Sequence, residues 1–136
     1  MAGGFMLEKI FAPYRDYSPF VLRLFVGIVF LVHGSLKLFG GLEGFTEFLL
    51  GYGIPFPEIM APAVAAVEFF GGLAILLGTG TRIASFLLTG VTVVAMIIVT
   101  LPMGFPGGYD INLALLGGLV ALLLAGPGKP AVGGDL

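Results

Sequence analysis

Arg23, His33 and Lys37 fall within one apolar stretch, Glu68 near the middle of the next, and Arg82 at the start of a third. At about 100° per residue, Arg23, Gly27, Phe30, Gly34 and Lys37 share one helical stripe with His33 on its edge, so a single face carries all the charge of that segment. Glu68 is the most demanding of the set. A free carboxylate at the centre of a bilayer costs at least about 2.5 to 3.5 kcal/mol, so a cation has to compensate it. In an antiparallel hairpin of the first two stretches, Glu68 comes level with about Val29, which leaves Arg23 and His33 about one to two turns away in opposite directions. This spacing predicts an Arg23–Glu68 contact, with His33 as a second candidate partner. Such a cluster has two uses. Arg23 or His33 can donate a hydrogen bond to the polar head of an apolar ligand while Glu68 or His33 handles a proton. Alternatively the pair is a structural clamp without chemistry.

The other cations carry their own alternatives. Lys37 and Arg23 sit within about a turn of the ends of their stretch, where either side chain can extend to lipid headgroups. His33 lies deeper, and a membrane histidine can simply hydrogen-bond a neighbouring helix. Arg82 either joins the cluster or binds lipid phosphate. The candidate ligand-binding set is therefore Arg23, His33, Lys37, Glu68 and Arg82, with Glu68 and His33 as the candidates for chemistry.

The elements that position these groups follow from composition. Of 136 residues, 58% are hydrophobic and 10% charged, and mean hydropathy is +1.12. A soluble domain carries about 25% charged residues, so this chain cannot cover a globule with polar surface and belongs in lipid. A hydrocarbon core about 30 Å thick needs about 20 apolar residues per helix. Four windows meet that need, at about 19–39, 58–77, 82–101 and 109–125, separated by Gly- and Pro-rich connectors. They predict one all-α domain over residues 1–136, an integral membrane four-helix bundle. Lys9, Arg15, Arg82 and Lys129 fall at one end of that bundle, whereas the first and third connectors hold no Lys or Arg, which predicts cytoplasmic termini. The first 17 residues lack a basic, apolar, then small-residue pattern, so no removable signal peptide is expected.

Leu42, Phe45, Phe48, Leu49 and Tyr52 recur at steps of three and four with Glu43, Thr46 and Glu47 opposite, which predicts a short interfacial amphipathic helix between the first two spans. It either seals the bundle end or acts as a lid. Met6, Leu7, Ile10, Phe11 and Tyr14 suit a second surface-lying helix. Ala114, Gly118, Ala121 and Ala125 form a small-residue packing stripe with Gly117 beside it, and Thr89, Thr92 and Thr100 can satisfy their hydroxyls on the preceding turn. Asp110 can cap the amides that open the fourth span, with Tyr109 in the interfacial belt.

Several chemistries are excluded. The absence of Cys removes disulfides, thiolate nucleophiles and iron–sulfur clusters, and one His with five scattered Met offers neither a haem ligand pair nor a metal constellation. Six basic residues scattered in a chain of net charge −2 give no footprint for nucleic acid.

Arg23-Leu24 through Gly27, the run Phe30-Leu31-Val32-His33-Gly34-Ser35-Leu36-Lys37-Leu38-Phe39-Gly40, Glu68-Phe69-Phe70-Gly71-Gly72-Leu73 and Gly78-Thr79-Gly80-Thr81-Arg82 together resemble the DoxX family of small membrane proteins, as does the tail Gly126-Pro127-Gly128. The resemblance covers about residues 19–128. The chain departs from the family pattern at Thr100, where members often carry His, and at Asp110, where they often carry Glu, so a proton relay through those positions does not carry over. The resemblance implies a four-helix protein of the prokaryotic cytoplasmic (inner) membrane associated with quinone-linked redox chemistry. Members include subunits of thiosulfate-quinone oxidoreductase, and one organises a complex with a sulfurtransferase and a superoxide dismutase.

The leading expectation is thus a quinone-interacting redox subunit with a buried polar pocket of Arg23, His33 and Glu68, His33 or Arg23 donating to a quinone carbonyl. Lacking a thiol or metal carrier of its own, the chain would pass electrons through quinone or a soluble partner. Two other classes compete: a non-catalytic scaffold or anchor for redox partners, and a carrier of a thiosulfate-like anion guided by Arg23, Lys37 and Arg82, which with four spans per chain would require a homodimer.

Overall fold

The computed structural model describes residues 2–133, and its regular structure is helical, with no strand among the described residues. Helix α1 (Ala2–Phe11) runs through a 3₁₀ stretch, Ala12–Tyr17, into α2 (Ser18–Leu38). A short α3 (Leu42–Gly51) precedes α4 (Pro57–Leu77), α5 (Thr81–Ala95) and α6 (Asp110–Ala125). The third span continues past α5 through Thr100 to Met103, and the turn Phe105–Tyr109 leads into α6. Four of these helical runs, Gly4–Leu38, Pro57–Leu77, Thr81–Met103 and Phe105–Ala125, are long and apolar enough to cross a membrane, in agreement with the four expected windows. The protein is an all-α membrane protein.

The helix limits have local causes. Pro19 and Pro57 occupy the first turns of α2 and α4, where no intrahelical N–H partner is lost. Gly78 ends α4 in the left-handed conformation (φ 72°) and donates its N–H to the carbonyls of Ala74 and Ile75. Thr89, Thr92 and Thr100 each donate to the carbonyl four residues back, as expected for hydroxyls in an apolar medium. Asp110 accepts from the N–H groups of Gly107 (3.1 Å) and Ile111 (2.9 Å), the structural use anticipated for it.

The core gathers Val26 and Phe30 from α2, Ile75 from α4, Ala84 and Leu88 from α5, and Leu119 and Leu122 from α6. Phe25, Phe39, Phe70 and Leu124 point outward and are well exposed, the surface a bilayer would cover. The largest interface joins α2 to α4, and glycines set its register. A Cβ on Gly34 would fall 2.8 Å from the Glu68 carbonyl carbon, and one on Gly72 would fall 2.9 Å from that of Phe30. Backbone therefore meets backbone at two points, the small-residue contact typical of helices in lipid. On α6, Gly118 makes room for the Val26 side chain, since a Cβ there would fall 2.8 Å from Val26 Cγ2, whereas Gly117 faces open space.

Candidate functional site

The glycine contacts decide which cation Glu68 meets. Glu68 is level with Gly34 rather than with Val29, a displacement of about five residues, or roughly 7.5 Å of helix rise, from the centred hairpin. The expected Arg23–Glu68 contact is therefore not formed. Lys37 takes the place instead: from the last turn of α2 its side chain leans back toward the helix N-terminus, and Nζ donates to both carboxylate oxygens of Glu68, at 2.7 and 2.9 Å. The Glu68 side chain is 8% exposed and that of Lys37 25%, so the pair sits at an edge rather than in the deep core. Lys37 Nζ also lies 4.6 Å from the Phe45 ring centroid, a cation–π contact from α3.

Arg23 is 1% exposed and serves a different end of the bundle. Its Nε donates to Ile75 O (2.8 Å), Nη2 to Leu76 O (3.0 Å), and Nη1 to Pro127 O (2.8 Å) and Pro130 O (2.7 Å). One guanidinium thereby closes the last turn of α4 and ties down the tail after α6. The tail continues along the same helix end, with Val132 N–H donating to Leu77 O and Gly133 N–H to Gly78 O. Arg82 behaves in kind, donating from Nε to Leu123 O (3.1 Å) and from Nη2 to Leu124 O (3.3 Å) at the end of α6. Both arginines complement the partial negative charge of a helix C-terminus.

His33 is exposed on the outer face of α2, and its Nδ1 donates to Val29 O of the same helix at 2.8 Å. Arg23, His33 and Glu68 thus do not converge into one pocket, and Arg82 does not join Glu68. Of the five candidate residues, the structure brings together Lys37 and Glu68 alone.

Beside that pair lies a cavity of about 290 Å³ between α3, α4 and the third span. Phe45, Phe48 and Leu49 wall it from α3, Met60, Val64 and Glu68 from α4, and Gly90, Val91, Val94, Ala95, Ile98 and Val99 from the third span, with Tyr52 and Ile54 at the connector. Among the described residues, Glu68 is its one charged lining residue. The apolar face of α3, which has Phe45 and Leu49 half-buried and Glu43 and Glu47 exposed, supplies one wall of this chamber. Sequence spacing pointed to a short helix here but not to the space beside it. The signal for the remaining wall was Gly90 amid β-branched residues, a gap in the third span that reads from sequence as ordinary lipid-facing surface.

Comparison with known proteins agrees with this architecture. The family model described as DoxX matches residues 18–101. A protein of Bacillus subtilis (strain 168) named "Putative oxidoreductase CatD" is 37% identical over 111 residues, covering 82% of this chain and 81% of that protein. The "Inner membrane protein YqjF" of Escherichia coli (strain K12) is 31% identical over 123 residues, covering 87% of this chain and 91% of its own length. No solved structure matches the chain. With four membrane-spanning helices and a match across most of its length, this multi-pass inner-membrane protein belongs to the DoxX family.

Proposed function

We propose that the protein is a quinone-interacting subunit of a membrane redox system, and that the cavity between α3, α4 and the third span holds the quinone ring. One observation carries the reading: an apolar chamber of about 290 Å³ has Glu68, itself paired with Lys37, as its one charged lining residue among the described residues, and every other lining side chain except Tyr52 is apolar or glycine. That combination suits a greasy ligand with a polar head, since apolar walls supply affinity and a few polar atoms supply orientation. A quinone supplies two-electron, two-proton redox chemistry when bound.

The residues of this chain have defined tasks in that reading. Lys37 Nζ has three N–H donors and spends two on Glu68, which leaves one for a ligand carbonyl. Glu68 accepts from a ligand hydroxyl and takes its proton, becoming a neutral acid beside the Lys37 ammonium. Apolar walls keep water from the head group, which strengthens both interactions. Electrons leave to a partner protein, because the chain has no Cys and one His. The relative named as an oxidoreductase supports the redox class. Arg23 and Arg82 donate to helix-end carbonyls, which favours this reading over an anion carrier guided by them. In the same reading the end holding Lys9, Arg15, Arg82 and Lys129 faces the cytoplasm, and α3 rests at the opposite interface.

The test is organic extraction of protein purified in nanodiscs, followed by mass spectrometry, paired with thermal unfolding in added benzoquinone. Co-purified quinone and an upward thermal shift that Ala95→Phe abolishes are expected. Repeated quinone-free preparations with no shift would remove the redox reading and leave the scaffold.

A further inference from the structure

A second cavity, about 420 Å³, lies along the same two helices nearer the Arg23 end of the bundle. Val67, Phe70, Gly71 and Ala74 of α4 line it against Ile83 and Leu87 of α5. The two cavities lie in line along the same faces of α4 and the third span. On α4 the lining passes from Met60 and Val64 through Val67 and Gly71 to Ala74, and on α5 from Val94 and Gly90 through Leu87 to Ile83, each at steps of three and four. Between the cavities, buried Leu88 closes the inner side, since a Cβ on Gly71 would sit 3.1 Å from Leu88 Cδ1. The outer side stays open at Gly90, which is exposed and has nothing within 4 Å of where a Cβ would stand.

Depth narrows what can use this opening. Gly90 lies nine residues into a span of 23, about 14 Å from its start, which puts the gap in the acyl-chain region of a bilayer rather than at either water face. Gly90 in the lining of the first cavity and Gly80 in that of the second are about 15 Å apart in helix rise. The side chains lining the second cavity are apolar apart from Thr79.

Resting on the quinone reading above, we propose that one elongated ligand fills both cavities, its ring beside Lys37–Glu68 and its apolar tail in the second cavity, and that it passes laterally from the bilayer at Gly90. The substrate class is then a lipid-dissolved, tailed quinone and not a water-soluble one.

The experiment measures, in nanodiscs, binding of a benzoquinone without a tail and of the same ring with a three-isoprene tail. Wild type, Ala66→Phe (filling the second cavity), Gly90→Phe (plugging the gap) and Ala95→Phe (filling the first) are compared, each checked by thermal unfolding. The membrane partition of each probe is common to all four proteins and cancels. Ala66→Phe is expected to weaken the tailed probe at least tenfold while leaving the tailless probe within about twofold. Gly90→Phe, whose new side chain enters open space, is expected to slow association of the tailed probe at least tenfold. Unchanged binding and association of the tailed probe in both variants would overturn the tail groove, even where Ala95→Phe abolishes binding and the ring site stands. A phospholipid retained by wild type and lost in Ala66→Phe, with no tail dependence, would also overturn it. Ring binding indifferent to Ala95→Phe would instead remove the quinone site itself, and the groove proposal with it.

Discussion

Lys37 Nζ stands 2.7 Å from Glu68 Oε2 and 2.9 Å from Oε1, joining the last turn of α2 to the middle of α4. Both oxygens of an acid well inside the membrane region share one ammonium, and the contact depends on a helix register that two glycines hold. The consequences are open to measurement.

Lys37→Met should destabilise the protein by up to about 3 kcal/mol, the low end of the range for breaking a buried pair, because Lys37 is 25% exposed. Glu68→Leu combined with Lys37→Met should recover most of that loss, since no uncompensated charge remains. Chemical unfolding in detergent for the two singles and the double checks this. A double mutant as unstable as the sum of the singles would mean that the pair is not coupled.

Gly34→Ala should cost about 1 to 3 kcal/mol, the range for overpacking, because the new methyl would meet the Glu68–Phe69 backbone and push α2 off α4. Gly117→Ala adds a methyl to open space on α6 and should be neutral or stabilising by up to about 1 kcal/mol. Comparing their unfolding midpoints separates close helix contact from a general need for glycine.

Arg23→Lys keeps the charge but not the fork. An ammonium cannot span the carbonyls of Ile75, Leu76, Pro127 and Pro130 together. A loss of at least about 2 kcal/mol is expected, given about 1.5 to 3 kcal/mol per charged hydrogen bond. Limited proteolysis should cut the tail near Lys129 faster than in wild type. A tail as protected as before would show that Arg23 does not hold it.

His33→Gln should leave stability within about 0.5 kcal/mol, as the imidazole is exposed and bonds only within its own helix turn among the described contacts. Quinone-induced thermal shift should also be unchanged, since His33 lines neither cavity. A lost shift would return His33 to the binding site.

The four spans, the short helix before α4 and the need of Glu68 for a cation were legible in sequence, because length, hydropathy and the cost of a charge in lipid are local properties. The identity of that cation was not. Centring two spans against each other pointed to Arg23, whereas the Gly34 and Gly72 contacts slide the pair by more than a turn and bring Lys37 into reach. Both arginines look from sequence like partners for an acid or a lipid phosphate. Their carbonyl partners become visible only when helix ends meet in space. The cavity was hidden for a related reason: the stripe on α3 announces that something is covered, and Gly90 announces a gap, but the space between them exists only in three dimensions.

Arg23 is translated 104 and 107 residues ahead of two of the carbonyls that it finally holds. During biogenesis its guanidinium must borrow other acceptors, water or lipid phosphate, until Pro127 and Pro130 emerge. The bundle therefore locks at that end only when synthesis has passed the final span, and until then Arg23 has its α4 acceptors, Ile75 and Leu76, but not those that fasten the tail.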